Sequence, residues 1–207
     1  MLDQEKDTIH PNLHSGQPDT GHLDDAERQK LVIELKKSIS DGKLYVEDIL
    51  MSDEVPGDVM VAIGLSEDTK LAPAVIEIFI LKMCDYLKSR RSFISWKVQQ
   101  FLDKLERYLL DKTQSNLLAF SAEKRKLGDL SDTRHFSIEE FDPLRAAKAL
   151  MTLLLTIEHG NYLDYVQTYN QDDMPDKDME NWMVMGKWEV AETLGQMLRD
   201  SFKSNMY

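Results

Sequence analysis

Val59-Met60-Val61-Ala62-Ile63-Gly64-Leu65, entered through Pro56–Gly57, is the stretch on which the fold class turns. The run is apolar on every side, so it is either a buried helical turn or one isolated strand. A strand leaves backbone N–H and C=O groups unpaired unless a neighbour takes them. No second run in the chain offers that neighbour. The helical reading follows, and with it an all-α chain.

The segments on either side agree. Upstream, Leu31, Val32, Leu35 and Ile39 recur at helical spacing and stop at Asp41–Gly42. A shorter helix follows on Leu44, Val46, Ile49 and Leu50. Downstream, Pro73 suits the first turn of the longest helical region, which runs to Lys112. Val75, Ile78, Phe79, Lys82 and Met83 make its first buried face, and a bend is expected around Ser89–Ser92. Ile94, Val98, Phe101, Leu105 and Leu109 then form a helical stripe, and a short helix is expected over Asn116–Lys126.

Residues 128–141 read as a polar connector that joins two halves. Asp142 and Pro143 supply a cap and a first helical residue for the second half. Ala146–Ile157 is apolar almost all round, as a core helix is, and should end at His159–Gly160. A short helix over Asn161–Tyr169 and a polar, Asp-rich loop over Gln171–Lys177 come next. A final helix or helix pair reaches Phe202, with Val190, Leu194, Met197 and Leu198 facing inward. The expected architecture is a multi-helix bundle of antiparallel helical hairpins, about seven to nine helices in one domain over residues 23–207. Residues 1–22, acidic and broken by Pro11, Gly16, Pro18 and Gly21, are expected to be a flexible, disordered segment.

Composition narrows the function classes. The 207 residues carry a net charge of −12. No apolar run approaches the ~18 residues that a membrane span needs, and the N-terminus has no secretory signal. The single cysteine, Cys84, cannot form an internal disulfide and lies in an apolar run, which suggests a core residue in a reducing compartment. The cytoplasm is the expected location. No serine-hydrolase elbow, phosphate-cradling glycine loop, zinc set or metalloprotease helix is present, so no catalytic residue is assigned.

Two acidic or histidine clusters resemble metal sites without completing one. His10, His14 and His22 lie among helix breakers and have no cysteine beside them. Asp172-Asp173-Met174-Pro175-Asp176 spells the aspartate motif that holds Mg²⁺ against a diphosphate, but a second motif and a large apolar cavity are missing. The same residues fit better as a helix start, where negative charge is favourable. No metal and no cofactor are expected.

Charge is distributed unevenly, and this points to a surface. Between Lys82 and Lys126 eleven Lys or Arg face five Asp or Glu, a net of +6, so the remainder carries −18. Segregation of this kind concerns partners or internal docking. On a helix, Lys97, Gln100, Lys104 and Arg107 share one side, with Phe93 and Trp96 on the same flank and Arg90 near its edge. Such a flank can receive acidic side chains with Trp and Arg as anchors. It can also grip phosphates while a ring stacks on a base. It can equally pack under a neighbouring helix or receive the chain's own acidic segments. Trp182, Met183, Met185, Trp188 and Met197 form a second aromatic and methionine cluster, in which Trp182 and Trp188 lie off the inward stripe of the last helix.

The expected function is a non-enzymatic protein–protein interaction module, an adaptor, regulator or assembly subunit. Its candidate contact residues are Arg90, Phe93, Trp96, Lys97, Lys104, Arg107, Trp182 and Trp188. The alternative is a nucleic-acid-associated subunit of a larger assembly using the same basic stripe. Overall charge counts against the alternative, because the distant field repels polyanions.

Overall fold

A computed structural model of the chain describes residues 23–89, 96–127, 141–158 and 188–207. Among these residues the chain forms eight helices and no strand, so the all-α reading holds. They are α1 (Asp25–Ser40), α2 (Val46–Met51), α3 (Gly57–Gly64), α4 (Pro73–Ser89), α5 (Trp96–Leu110), α6 (Gln114–Leu127), α7 (Pro143–Glu158) and α8 (Trp188–Asn205). The connector, the helix expected over Asn161–Tyr169, the loop after it and the N-terminal segment lie outside the described residues. So does most of the bend expected at Ser89–Ser92.

Local chemistry sets the helix ends. Asp24 and Glu27 form a capping box at the start of α1, each carboxylate accepting the other residue's backbone N–H at 2.8 and 3.0 Å. After α1, Gly42 takes φ +70°, where a side chain would be strained, and its N–H donates to the Ile39 carbonyl at 3.0 Å. Asp142 caps α7 by accepting from the Leu144 N–H at 3.0 Å and the Arg145 N–H at 3.3 Å, with Pro143 as first helical residue.

The stretch that decides the fold class is α3, and all eight of its residues are buried. A helix this short does not hold itself together in water, so tertiary packing supplies its stability. Burying each of its larger apolar side chains contributes ~1.5–3 kcal/mol. α1, α2 and α8 enclose it, while α4 packs against α5, α7 and α8, and α5 against α6. One apolar cluster runs through the described residues from Val32 to Phe202. Cys84 lies wholly inside it, and burial pushes its thiol pKa well up, so the sulfur is a core atom and a poor nucleophile.

The buried face of α4 differs from the expected one. Val75, Phe79 and Met83 are buried as anticipated, but Ile76, Ile80, Cys84 and Leu87 complete the face. Ile78 and Lys82 are only half-buried. Residues 75–81 are apolar on nearly every side, so periodicity alone cannot set the angle. Contact with three other helices does.

The tightest joint is where α8 crosses α3. Gly195 lies so close to Gly57 that a Cβ there would stand 2.1 Å from the Gly57 carbonyl oxygen. Glu192, one turn earlier, accepts the Gly57 N–H at 2.8 Å and so caps α3. Arg199, one turn later, donates to the Ser52 and Val55 carbonyls at 3.0 and 3.3 Å, satisfying the loop between α2 and α3. Beside this joint, Arg28 of α1 meets Asp58 of α3 at 2.8 Å, both nearly enclosed. Burial raises the Asp58 pKa, Arg28 pulls it back, and Glu192 adds to the rise. Removing either partner of such a pair leaves a buried charge uncompensated, at a cost of about 3–5 kcal/mol.

Candidate functional site

α5 is amphipathic in the strict sense. Val98, Phe101, Leu102, Leu105 and Leu109 are buried against α4 and α6, and the expected stripe gains Leu102. A cluster of rings braces the helix from beneath. Phe120 lies 5.6 Å from Phe101 and stacks on Tyr108 at 6.0 Å, and Phe141 meets Tyr108 edge-on at 5.6 Å. The outward face is therefore carried on a fixed support.

That face holds four of the expected contact residues. Trp96 is 63% exposed, Lys97 and Arg107 are exposed, and Lys104 is half-buried. Gln100 lies between them and is exposed. Arg90, Phe93 and Trp182 lie outside the described residues. Trp188 is the first residue of α8, which packs against α2, α3 and α4.

The basic island is partly neutralised within the fold. Lys88 contacts Asp103 at 3.1 Å and also pairs with Glu106. Burial opposes the charge of Lys88, but the hydrogen bonds it donates to the Glu106 and Asp103 carboxylates outweigh it and raise its pKa. Lys112 pairs with Glu77 at 2.6 Å, and Lys126 with Glu123 at 2.7 Å. Lys124 is buried, which depresses its pKa to about 8. Among the described residues, Lys97, Lys104 and Arg107 form no ion pair. Lys82 on α4 and Arg125 on α6, which donates to the Ser121 carbonyl at 3.2 Å, form no ion pair among these residues either, so three of the five such cations of the island lie on α5.

One exposed apolar residue of α5 lies off this face, well round the helix from Lys97 and Lys104. Leu110, at the last position of α5, is 70% exposed. Its signal was present, since position 110 falls well off the apolar stripe of Val98, Phe101, Leu105 and Leu109. Elsewhere, a cavity of about 620 Å³ lies where α1 ends and α2 begins, lined by Lys36, Tyr45, Glu47, Asp68 and Lys70. Its lining mixes both charge signs and selects no ligand class. No three His, Cys, Asp or Glu side chains converge as metal ligands would among the described residues. None of those residues forms a helix long and apolar enough to cross a membrane. Comparison with protein-family models, with curated proteins and with solved structures finds no match for the chain.

Proposed function

We propose that this protein acts by binding another protein, as an adaptor, regulator or assembly subunit, and not as a catalyst. The contact surface is the outward face of α5. The observation that carries this reading is Trp96, 63% exposed beside three cations that form no ion pair among the described residues, on a helix locked into the core. An indole left in water forgoes burial energy of a few kcal/mol, and tryptophan and arginine are common anchors of protein interfaces. A buried lone cysteine suits a reducing compartment, so the cytoplasm is the proposed location.

The test is recovery of bound partners from the native host by tagged wild-type protein, Trp96→Ala, and the triple variant Lys97→Glu, Lys104→Glu, Arg107→Glu. Lys97 and Arg107 are exposed, Lys104 is half-buried and none of the three is in the core, so the variants should fold, which far-UV circular dichroism checks. The proposal expects one protein partner to be lost from both variants. Unchanged recovery from both would sink it. Nucleic acid in the wild-type eluate that leaves steeply with salt would replace a protein partner by a polyanion.

A further inference from the structure

Independently of the α5 surface, we infer that α1 is a displaceable cover: it lifts off α3 as a unit while the other helices stay folded, and uncovers an apolar strip with the Asp58 carboxylate at one end. Little of α1 is buried. In its 16 residues Val32 is the only apolar residue fully buried, Leu31, Leu35 and Ile39 are half-buried, and Ile33 is 64% exposed. By contrast α4 buries seven residues, and α3 all eight of its own. Segments with few buried apolar contacts open at the lowest free energy. Among the described residues α1 packs chiefly on α3, which α2 and α8 hold from other sides.

Two features around α1 favour its release. A cavity of about 620 Å³ opens beside its last turn, lined by Ile39 and Ser40 and by Leu44 and Val46 of the segment that follows, so this end is not closed down on its neighbours. Gly42, at φ +70° in the connector to α2, supplies a residue able to absorb a change of chain direction. α8 has no such latitude. It buries Ala191, Leu194, Leu198 and Phe202, and Glu192 and Arg199 tie it to the backbone at Gly57, Ser52 and Val55.

The buried ion pair places α1 without fastening it. Substituting one partner strands the charge of the other, but α1 takes Arg28 with it when it departs, and both ions regain water. That hydration roughly offsets the attraction given up. The 2.8 Å contact of Arg28 with Asp58 therefore sets the register of α1 on α3. Arg28, Val32, Leu35 and Ile39 follow at spacings of four, three and four, along one side of α1. Val61, Ala62 and Leu65 stand three, four and seven residues beyond Asp58, which puts them on the side of α3 that meets Arg28. All three are buried, and they form the strip that α1 covers.

Full-length Ala62→Cys tests this, because it carries one thiol under α1 and another, Cys84, in the core. Modification by a thiol reagent in native buffer, read by mass spectrometry, should be about a hundredfold or more faster at position 62 than at Cys84. Low urea should leave the first rate nearly constant and raise the second steeply, since a local opening exposes little surface. Hydrogen exchange of the wild-type chain identifies the helix that moves: amides in the middle of α1 should exchange about tenfold or more faster than those in the middle of α8. Equal rates and equal urea dependence at the two thiols would mean that the chain opens only as a whole, and would overturn the inference. So would α1 amides as slow as those of α8. If Ala62→Cys fails to fold by far-UV circular dichroism, Val61→Cys replaces it, and exchange on the wild-type chain decides by itself where both fail. Neither measurement involves the α5 face, so this inference and the proposed contact surface stand or fall separately.

Discussion

Alanine at position 195 should be among the most damaging one-carbon changes in this protein. A Cβ there would sit 2.1 Å from the Gly57 carbonyl oxygen and 2.3 Å from its carbonyl carbon and Cα, where ordinary contact is 3.4–4 Å. The obstacle is backbone on a helix buried along its whole length, so no side chain can swing aside. α8 must retreat from α3 by about 1 Å. A gap of that size forfeits roughly a quarter to a half of the dispersion energy across the joint. It also loosens the Glu192 cap and the Arg199 contacts on either side. Overpacking alone costs about 1–3 kcal/mol. Alanine returns about 1 kcal/mol through helix propensity. With the loosened contacts included, a net loss of about 3 kcal/mol is expected, or a urea midpoint lower by roughly 1–2 M.

Gly64→Ala is the control. Its Cβ would meet the end of the Leu198 side chain at 2.7 Å, and that methyl can turn away. It should stay within about 1 kcal/mol of wild type. Urea unfolding followed by circular dichroism at 222 nm separates the two. Gly195→Ala as stable as Gly64→Ala would refute the close crossing.

Three further outcomes follow from the same structure. Arg199→Lys keeps the charge but loses the fork that reaches the Ser52 and Val55 carbonyls, and should cost about 1.5–3 kcal/mol by urea unfolding; an unchanged midpoint would contradict that role. Lys124 holds its proton less tightly in the folded chain, with a pKa of about 8 against an ordinary 10.5. Between those values the unfolded chain binds more protons, so this group makes stability rise with pH, and Lys124→Met should flatten the rise; identical pH profiles would exclude it. Cys84, the only cysteine, should resist a thiol reagent in the native protein and react on unfolding, and rapid native labelling would deny its burial.

The helical class was legible because α3 has no strand to pair with and the flanking segments repeat at helical spacing. Caps were legible too, since Asp142–Pro143 and Asp41–Gly42 act through neighbours in sequence. The face of α4 was not, because Val75 to Leu81 offers apolar residues in nearly every direction and only the packing of α5, α7 and α8 chooses among them. Nor was the role of α8. Glu192, Gly195 and Arg199 recur at three and four residues along one side, but their meaning depends on Gly57, Ser52 and Val55, more than 130 positions away. The candidate surface was half legible. Its cations follow from periodicity within α5, whereas the pairing of Lys88 with Asp103 and Glu106, and of Lys112 with Glu77, belongs to tertiary structure. That pairing leaves Lys97, Lys104 and Arg107 of α5, with Lys82 and Arg125 elsewhere, as the island's cations without an ion pair among the described residues.

The central claim is that the outward face of α5 is covered when the protein is at work. Amine labelling read by mass spectrometry tests it on the complex recovered from the native host, compared with the free protein. Lys97 and Lys104 should lose most of their reactivity in the complex, while Lys30 and Lys43, exposed on and just after α1, keep theirs. Labelling of Lys97 and Lys104 at the same rate in both states would contradict the account.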